Sequence, residues 1–220
     1  DCEARRYYFN IVGKYGTQVQ TVLKKAAGLD ITTICPLHGP VLTETIPHVL
    51  DLYRIWSSYG VESEGVFIAY ASLHGNTAAA AEQLADLLRS KGCPKVTVAD
   101  LARCDMAEAL EDAFRYGKIV LAASTYNAGI MPFMEDFLHH LKAKNYQKRT
   151  VGLMENGSWA PASGKEMQKI LQPLKGWQQM EDTFTIRSAL REDQTMQLER
   201  LAATLAVFTV FTVYFSGGTF

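Results

Sequence analysis

The sequence has no excess of either charge. Its 22 Lys and Arg against 23 Asp and Glu leave a formal net charge of -1, which gives no electrostatic reason to expect nucleic acid as a partner. It has only four cysteines, Cys2, Cys35, Cys93 and Cys104, and none forms a CxxC pair. Such scatter fits reduced thiols in a cytoplasmic protein better than a disulfide framework or a zinc site. No long hydrophobic run is present. The most apolar stretch, LAATLAVFTVFTVYF, is about 15 weakly polar residues, short of the ~20 that span a bilayer, so no membrane is expected. No signal peptide is expected. The chain opens at Asp1 without Met and runs straight into a helical pattern, which reads as a processed chain or a fragment. What remains is ordinary globular material, 48% hydrophobic and 20% charged over 220 residues, enough for one or two domains with a buried core.

The stretch that organises the chain is VFIAYASLHGNT, Val66 to Thr77. An apolar run over 66–71 reads as a strand, and AAAAEQLADLL after Thr77 reads as a helix. The loop between them, Ser72, Leu73, His74, Gly75, Asn76 and Thr77, is small enough to wrap a phosphate. Ser72, Asn76 and Thr77 bring side-chain donors, Gly75 permits close backbone approach, and a helix N-terminus favours an anion. The loop has no Lys or Arg, so it is not a GxxxxGK[ST] phosphate loop. A ligand-free helix start capped by Asn76 or Thr77 is the simpler alternative.

Upstream, residues 3–27 read as a helix, 29–35 as a short strand ending at the turn PLHGP, and 46–59 as a second helix. The polar connector 60–65 marks a domain boundary. From Gly65 the pattern alternates: strands at 66–71, 95–100, 118–123, 149–154 and 182–187, and helices at 77–91, 106–116, 133–144, 164–172 and 192–206. Five apolar strands each followed by a helix imply an α/β fold, a doubly wound parallel sheet with right-handed crossovers. Ligands of such sheets bind at the carboxyl ends of the strands. The last residues, 207–220, are rich in Val, Phe and Thr and fit no part of this pattern. A buried extra strand, a partner-binding strand and a non-native read-through all remain open, and if exposed the segment is aggregation-prone.

Two further loops lie at the same end of the sheet. Ser124, Thr125, Tyr126, Asn127, Ala128 and Gly129 follow the third strand with hydroxyls, an amide, an aromatic ring and a glycine. They suit the polar edge and face of a flavin ring, or equally a plain turn that starts a helix. Asn156, Gly157, Ser158, Trp159 and Ala160 follow the fourth strand, and Trp159 could cover a ring by stacking or fold back onto the surface. Three such loops at one end of one sheet favour a ligand.

The runs YASLHGNT, STYNAGIMP and ENGSWAPASG resemble the flavodoxin-like domain of the flavodiiron proteins (A-type flavoproteins) over residues 65–206. EARRYYFNIVGKYGTQV and ICPLHGPVL are similar to the last helix and last strand of that family's metallo-β-lactamase-like domain. The resemblance implies a flavodoxin-like five-stranded sheet in the order 2-1-3-4-5, preceded by a helix-strand-helix remnant. The division implied is 1–60, 61–206 and an apolar tail at 207–220. It also implies FMN, with its phosphate on the loop 72–77 and its ring on the loops 124–129 and 156–160. The function implied is electron transfer within an oxygen or nitric oxide reductase, from a rubredoxin-type donor through FMN to a diiron centre, in a homodimer or higher oligomer. His38 resembles one iron ligand, but no HxExDH run is present, so the diiron centre belongs to a full-length parent. Two other readings are an FMN-dependent NAD(P)H:quinone reductase, against which residues 3–58 speak, and a cofactor-free interaction module on the same fold.

Overall fold

A computed structural model describes residues 1–208. The sheet is built where the apolar runs fall. Strands β1 (Ser63–Ala71), β2 (Val96–Asp100), β3 (Tyr116–Tyr126) and β5 (Thr150–Asn156) are parallel neighbours in the order β2-β1-β3-β5. The fifth position is shared by two short strands, β6 (Gln178–Gln179) and β7 (Phe184–Ile186), which pair in parallel with the start and end of β5. This is the expected 2-1-3-4-5 order. A two-residue strand β4 (Gly129–Ile130) folds back on the end of β3, so the expected loop 124–129 is in part a hairpin.

Both sheet faces are covered, because alternate strand residues point to opposite sides. Val66, Ile68, Val120 and Ala122 face the helices α4 (Asn76–Ser90) and α8 (Thr195–Ala206), whose Leu84, Leu88, Leu198 and Leu201 complete one core. Phe67, Ala69, Ile119 and Leu121 face the other side, covered by α5 (Met106–Arg115), α6 (Pro132–Ala143) and α7 (Ser163–Leu171). The N-terminal segment adds to this second core. Tyr8, Phe9 and Trp56 are buried in it, and Phe9 stacks on Phe114 of α5 at 4.1 Å between ring centroids.

The expected helix 3–27 is one path wound in four ways: α1 (Cys2–Tyr7), a π-helical turn at Tyr8–Val12, a 3-10 turn at Gly13–Tyr15, and α2 (Gly16–Ala26). The start of α2 crosses α3 (Ile46–Ser57) at Gly16, where a Cβ would lie 2.4 Å from the Ser57 carbonyl oxygen. Only glycine allows that approach. The strand expected over 29–35 is not formed. It is reduced to a single bridge between Ile34 and Leu42, because no neighbouring strand runs beside it among the described residues.

Charge fixes the N-terminal segment in place. Arg5 is 1% exposed; its Nε donates to Glu62 at 2.7 Å and its Nη1 to Glu111 at 3.2 Å. Trp56 Nε1 donates to the same Glu62 carboxylate at 2.6 Å. Burial acts to raise the Glu62 carboxyl, but the bonds from Arg5 and Trp56 and the Arg5 charge outweigh it and hold the group below its ordinary value. Burial dominates at Glu111, which is raised despite Arg5. Arg149 donates to the carbonyls of Tyr59 at 2.8 Å, Gly60 at 2.9 Å and Phe114, and burial lowers its guanidinium.

Of the tail expected over 207–220, only Val207 and Phe208 are described, and residues 209–220 lie outside the described part. Lys118 donates to the Leu205 carbonyl at 2.8 Å and sits 4.1 Å from the Phe208 ring centroid. Among the described residues, no helix is long and apolar enough to cross a membrane.

Candidate functional site

The carboxyl ends of β1, β3, β5 and β7 open into one cleft of about 600 Å³. The first loop brings Ser72, Leu73, His74, Asn76 and Thr77 to its wall. Gly75 sits just outside the wall as the residue before α4, at φ +89°, a left-handed conformation that glycine adopts without cost. Its N–H donates to Ser72 Oγ at 3.1 Å, which closes the turn. No side chain caps α4, so the expected alternative of a cap by Asn76 or Thr77 is not what forms. The helix presents an uncapped N-terminus toward the cleft, where backbone N–H groups and the dipole favour an anion.

The second loop contributes Ser124, Thr125, Asn127 and Ala128. Asn127 and Ala128 have φ of +48° and +57°, so the hairpin turns on two left-handed residues between the paired Tyr126 and Gly129. The left-handed positions are therefore Asn127 and Ala128, and not the glycine that follows them, Gly129. Tyr126 and Gly129 stand outside the cleft wall, with Tyr126 exposed at the hairpin. Thr125 Oγ1 accepts from the backbone N–H groups of Ala162 at 3.0 Å and Ser163 at 3.3 Å, which ties this loop to the start of α7.

The third loop contributes Asn156, Gly157, Ser158, Trp159 and Ala160. Gly157 packs so closely that a Cβ would lie 2.9 Å from Pro161 Cα and 3.1 Å from Thr125 Oγ1. Trp159 is 91% exposed, an indole free of protein cover at the mouth of the cleft. The Trp159 carbonyl accepts from Arg187 Nη1 at 3.1 Å.

Sequence reasoning missed Ser188, which also lines the cleft. It follows β7, the fifth strand position, and the rule that ligands sit at the carboxyl ends of strands applied there as well. Its Oγ lies 2.9 Å from that of Ser158. The loops are joined at their base: Thr77 Oγ1 is 2.9 Å from Ser124 Oγ and 3.2 Å from Asn156 Nδ2.

Among the described residues, the wall contains no Lys, Arg, Asp or Glu; hydroxyls, amides, backbone groups and one imidazole, His74, supply its polarity. A charge-free cradle of this kind suits a ligand that brings its own negative charge and a flat apolar body. His38 stands apart. It is exposed, with its ring 5.5 Å from that of Tyr7. Among the described residues, no group of three or more His, Cys, Asp or Glu side chains could hold a metal ion.

Residues 67–205 match the family model described as a flavodoxin domain. The chain is similar to the rubredoxin-oxygen oxidoreductase of Megalodesulfovibrio gigas, at 23% identity over 92% of this chain and 50% of that protein. It is likewise similar to the anaerobic nitric oxide reductase flavorubredoxin of Escherichia coli, at 22% identity over 87% of this chain and 40% of that protein. It spans about half the length of these relatives or less. Among solved structures, the flavodiiron protein from Giardia intestinalis superposes with a TM-score of 0.84 at 19% identity, over 92% of this chain and 50% of that one. A flavodoxin from the domain Archaea covers only 64% of this chain, with a TM-score of 0.57, although 96% of its own length is used. On the family match and the sheet order together, the chain belongs to the flavodoxin-domain family.

Proposed function

We propose that the cleft holds FMN and that the chain is the electron-transfer part of a larger oxygen or nitric oxide reductase. The observation that carries this reading is the donor set: hydroxyls of Ser72 and Ser124 beside the uncapped N-terminus of α4, in a wall without a charged residue among the described residues. A phosphate monoester brings two negative charges of its own. Neutral donors and a helix N-terminus hold such a group without a fixed cation. The phosphate end is then the loop 72–77 with Ser124, which lies against Thr77.

The ring end is Thr125, Asn127 and Ala128 on one side and Asn156 to Ala160 on the other. When bound, FMN supplies one- and two-electron redox chemistry, and the protein supplies binding, orientation and electrostatics. The left-handed Asn127 and Ala128 hold their backbone groups at a fixed angle to the cleft, and Trp159 is placed to shield a flat ring from water. The wall offers no fixed cation to offset negative charge added to the ligand. Electron transfer needs proximity and poise, so no side chain is assigned as an acid or base.

The names of the relatives support a redox partner of the rubredoxin kind and an oxygen or nitric oxide reductase as the whole protein. Residues 1–60 are read as the end of a metallo-β-lactamase-like domain and 61–206 as the flavodoxin-like domain. His38 is read as one ligand of a diiron centre in the parent. A single imidazole does not fit an iron pair, which needs several His and carboxylate ligands, so no step is derived through iron here. A homodimer or higher oligomer belongs to the same reading.

The test is reconstitution. The purified chain is mixed with FMN, passed through a desalting column and its absorption spectrum recorded. Near-stoichiometric flavin bands travelling with the protein are expected. Colourless protein that leaves all FMN behind would overturn the reading.

A further inference from the structure

We infer that Asn156 is a positioning residue: acting through Thr77, it sets the direction of a hydrogen-bond chain so that the Ser124 hydroxyl is offered as a donor to an anionic ligand. The inference rests on the FMN reading and adds a residue that acts without touching the phosphate.

Asn156 ends β5 and is 7% exposed. Its amide meets the backbone of Ser188 twice: the Ser188 N–H donates to Oδ1 at 3.1 Å, and the Ser188 carbonyl accepts from Nδ2 at 2.8 Å. A backbone N–H can only donate and a carbonyl can only accept, so these two bonds fix which way the amide is turned. The second Nδ2 hydrogen then goes to Thr77 Oγ1 at 3.2 Å. Thr77 accepts from Asn156; either oxygen of the 2.9 Å Thr77–Ser124 pair can donate, and we assign the Thr77 hydrogen to Ser124 Oγ. Ser124 accepts from Thr77 and keeps its hydrogen for the cleft it lines. Each hydroxyl that accepts becomes a better donor, so the chain strengthens toward its open end.

Both Nδ2 hydrogens of Asn156 are used within the protein, so it has no N–H left for a ligand. Its effect on binding runs through others. Ser188, held at φ +67° by the same amide, ties the loop after β7 to this chain. One buried side chain thus joins the ends of β1, β3, β5 and β7. The direction also has a functional reading. A chain reversed end for end would present a Ser124 lone pair to the ligand and repel a phosphate.

The test is a double-mutant cycle read by fluorescence titration with FMN and with riboflavin, which lacks the phosphate. Ser124→Ala is expected to lower FMN affinity about ten-fold, the scale of one hydrogen bond to a charged group. Asn156→Ser removes the amide donor without adding charge. It is expected to lower FMN affinity about five-fold or more while weakening riboflavin less. Combined with Ser124→Ala, it should cost no more than Ser124→Ala alone, because both act on one donor. If Asn156→Ser does not fold, Thr77→Val, which breaks the chain at its middle link without adding charge, takes its place in the cycle. Additive losses, or equal losses for FMN and riboflavin, would overturn the inference while leaving the FMN reading in place. Failure of the unmodified protein to bind FMN would overturn both.

Discussion

At the seam between the N-terminal segment and the sheet, Arg5 lies buried between Glu62 and Glu111, and Arg149 is buried among backbone carbonyls. At the carboxyl ends of the strands, by contrast, the cleft wall has no Lys, Arg, Asp or Glu among the described residues. Both regions must hold their parts in fixed places, and they do it with different chemistry. The seam is permanent, so its charges find partners within the chain and repay their desolvation through short, well-directed bonds. The cleft would receive its charge with the ligand. A buried cation waiting there without a partner would be costly in the empty protein, whereas neutral donors and a helix N-terminus are not.

The contrast breaks most readily at the seam. Glu62→Gln leaves Arg5 and Trp56 short of a charged acceptor and is expected to cost about 3 kcal/mol, measured by urea unfolding at neutral pH. The carboxyl of Glu62 is held below its ordinary value, so its contribution is fully present above the usual carboxylate range. That contribution is lost as pH falls through the lowered pKa, and the gap between variant and unmodified protein should close in acid. Near-stoichiometric FMN binding should survive the substitution, since Glu62 is not part of the cleft wall.

The cleft responds in the opposite sense. Trp159→Ala removes an indole that packs on nothing, so unfolding should shift by less than about 0.5 kcal/mol. FMN affinity should fall by about 1 kcal/mol if the indole stacks on the ring, which a titration reads as roughly five-fold. A large loss of stability with unchanged affinity would mean that Trp159 serves the fold. The smallest effect is expected at the hairpin. Ala128 sits at φ +57°, and Ala128→Gly relieves that conformation for a net gain of about 0.5 kcal/mol, because glycine returns part of the benefit as backbone entropy. Thermal unfolding checks it.

The cleft was the more legible region, because its pieces are local. Each loop follows an apolar run directly, and small residues with neutral donors at the carboxyl end of a strand carry meaning in a few letters. Ser188 escaped although a strand is expected over 182–187, just before it: one Ser followed by Ala189, Leu190 and Arg191 lacks the cluster of neutral donors that marks the other three loops. The seam was illegible for a different reason. Arg5 meets residues 57 and 106 positions away, and no periodicity announces such a pairing. The strand expected over 29–35 shows the converse. LDITTIC has the right composition, but a strand also requires a neighbour, which composition does not supply.

The most direct measurement is a calorimetric titration of FMN into the unmodified chain at about 0.02 M and about 0.5 M salt. A ligand held by hydroxyls and a helix N-terminus in a charge-free wall should bind with near-unit stoichiometry, and its affinity should change only a few-fold between the two conditions. An absence of binding heat and of any flavin retained would contradict the assignment of the cleft. Binding that weakens steeply with salt would show that cationic side chains hold the phosphate, against a neutral cleft.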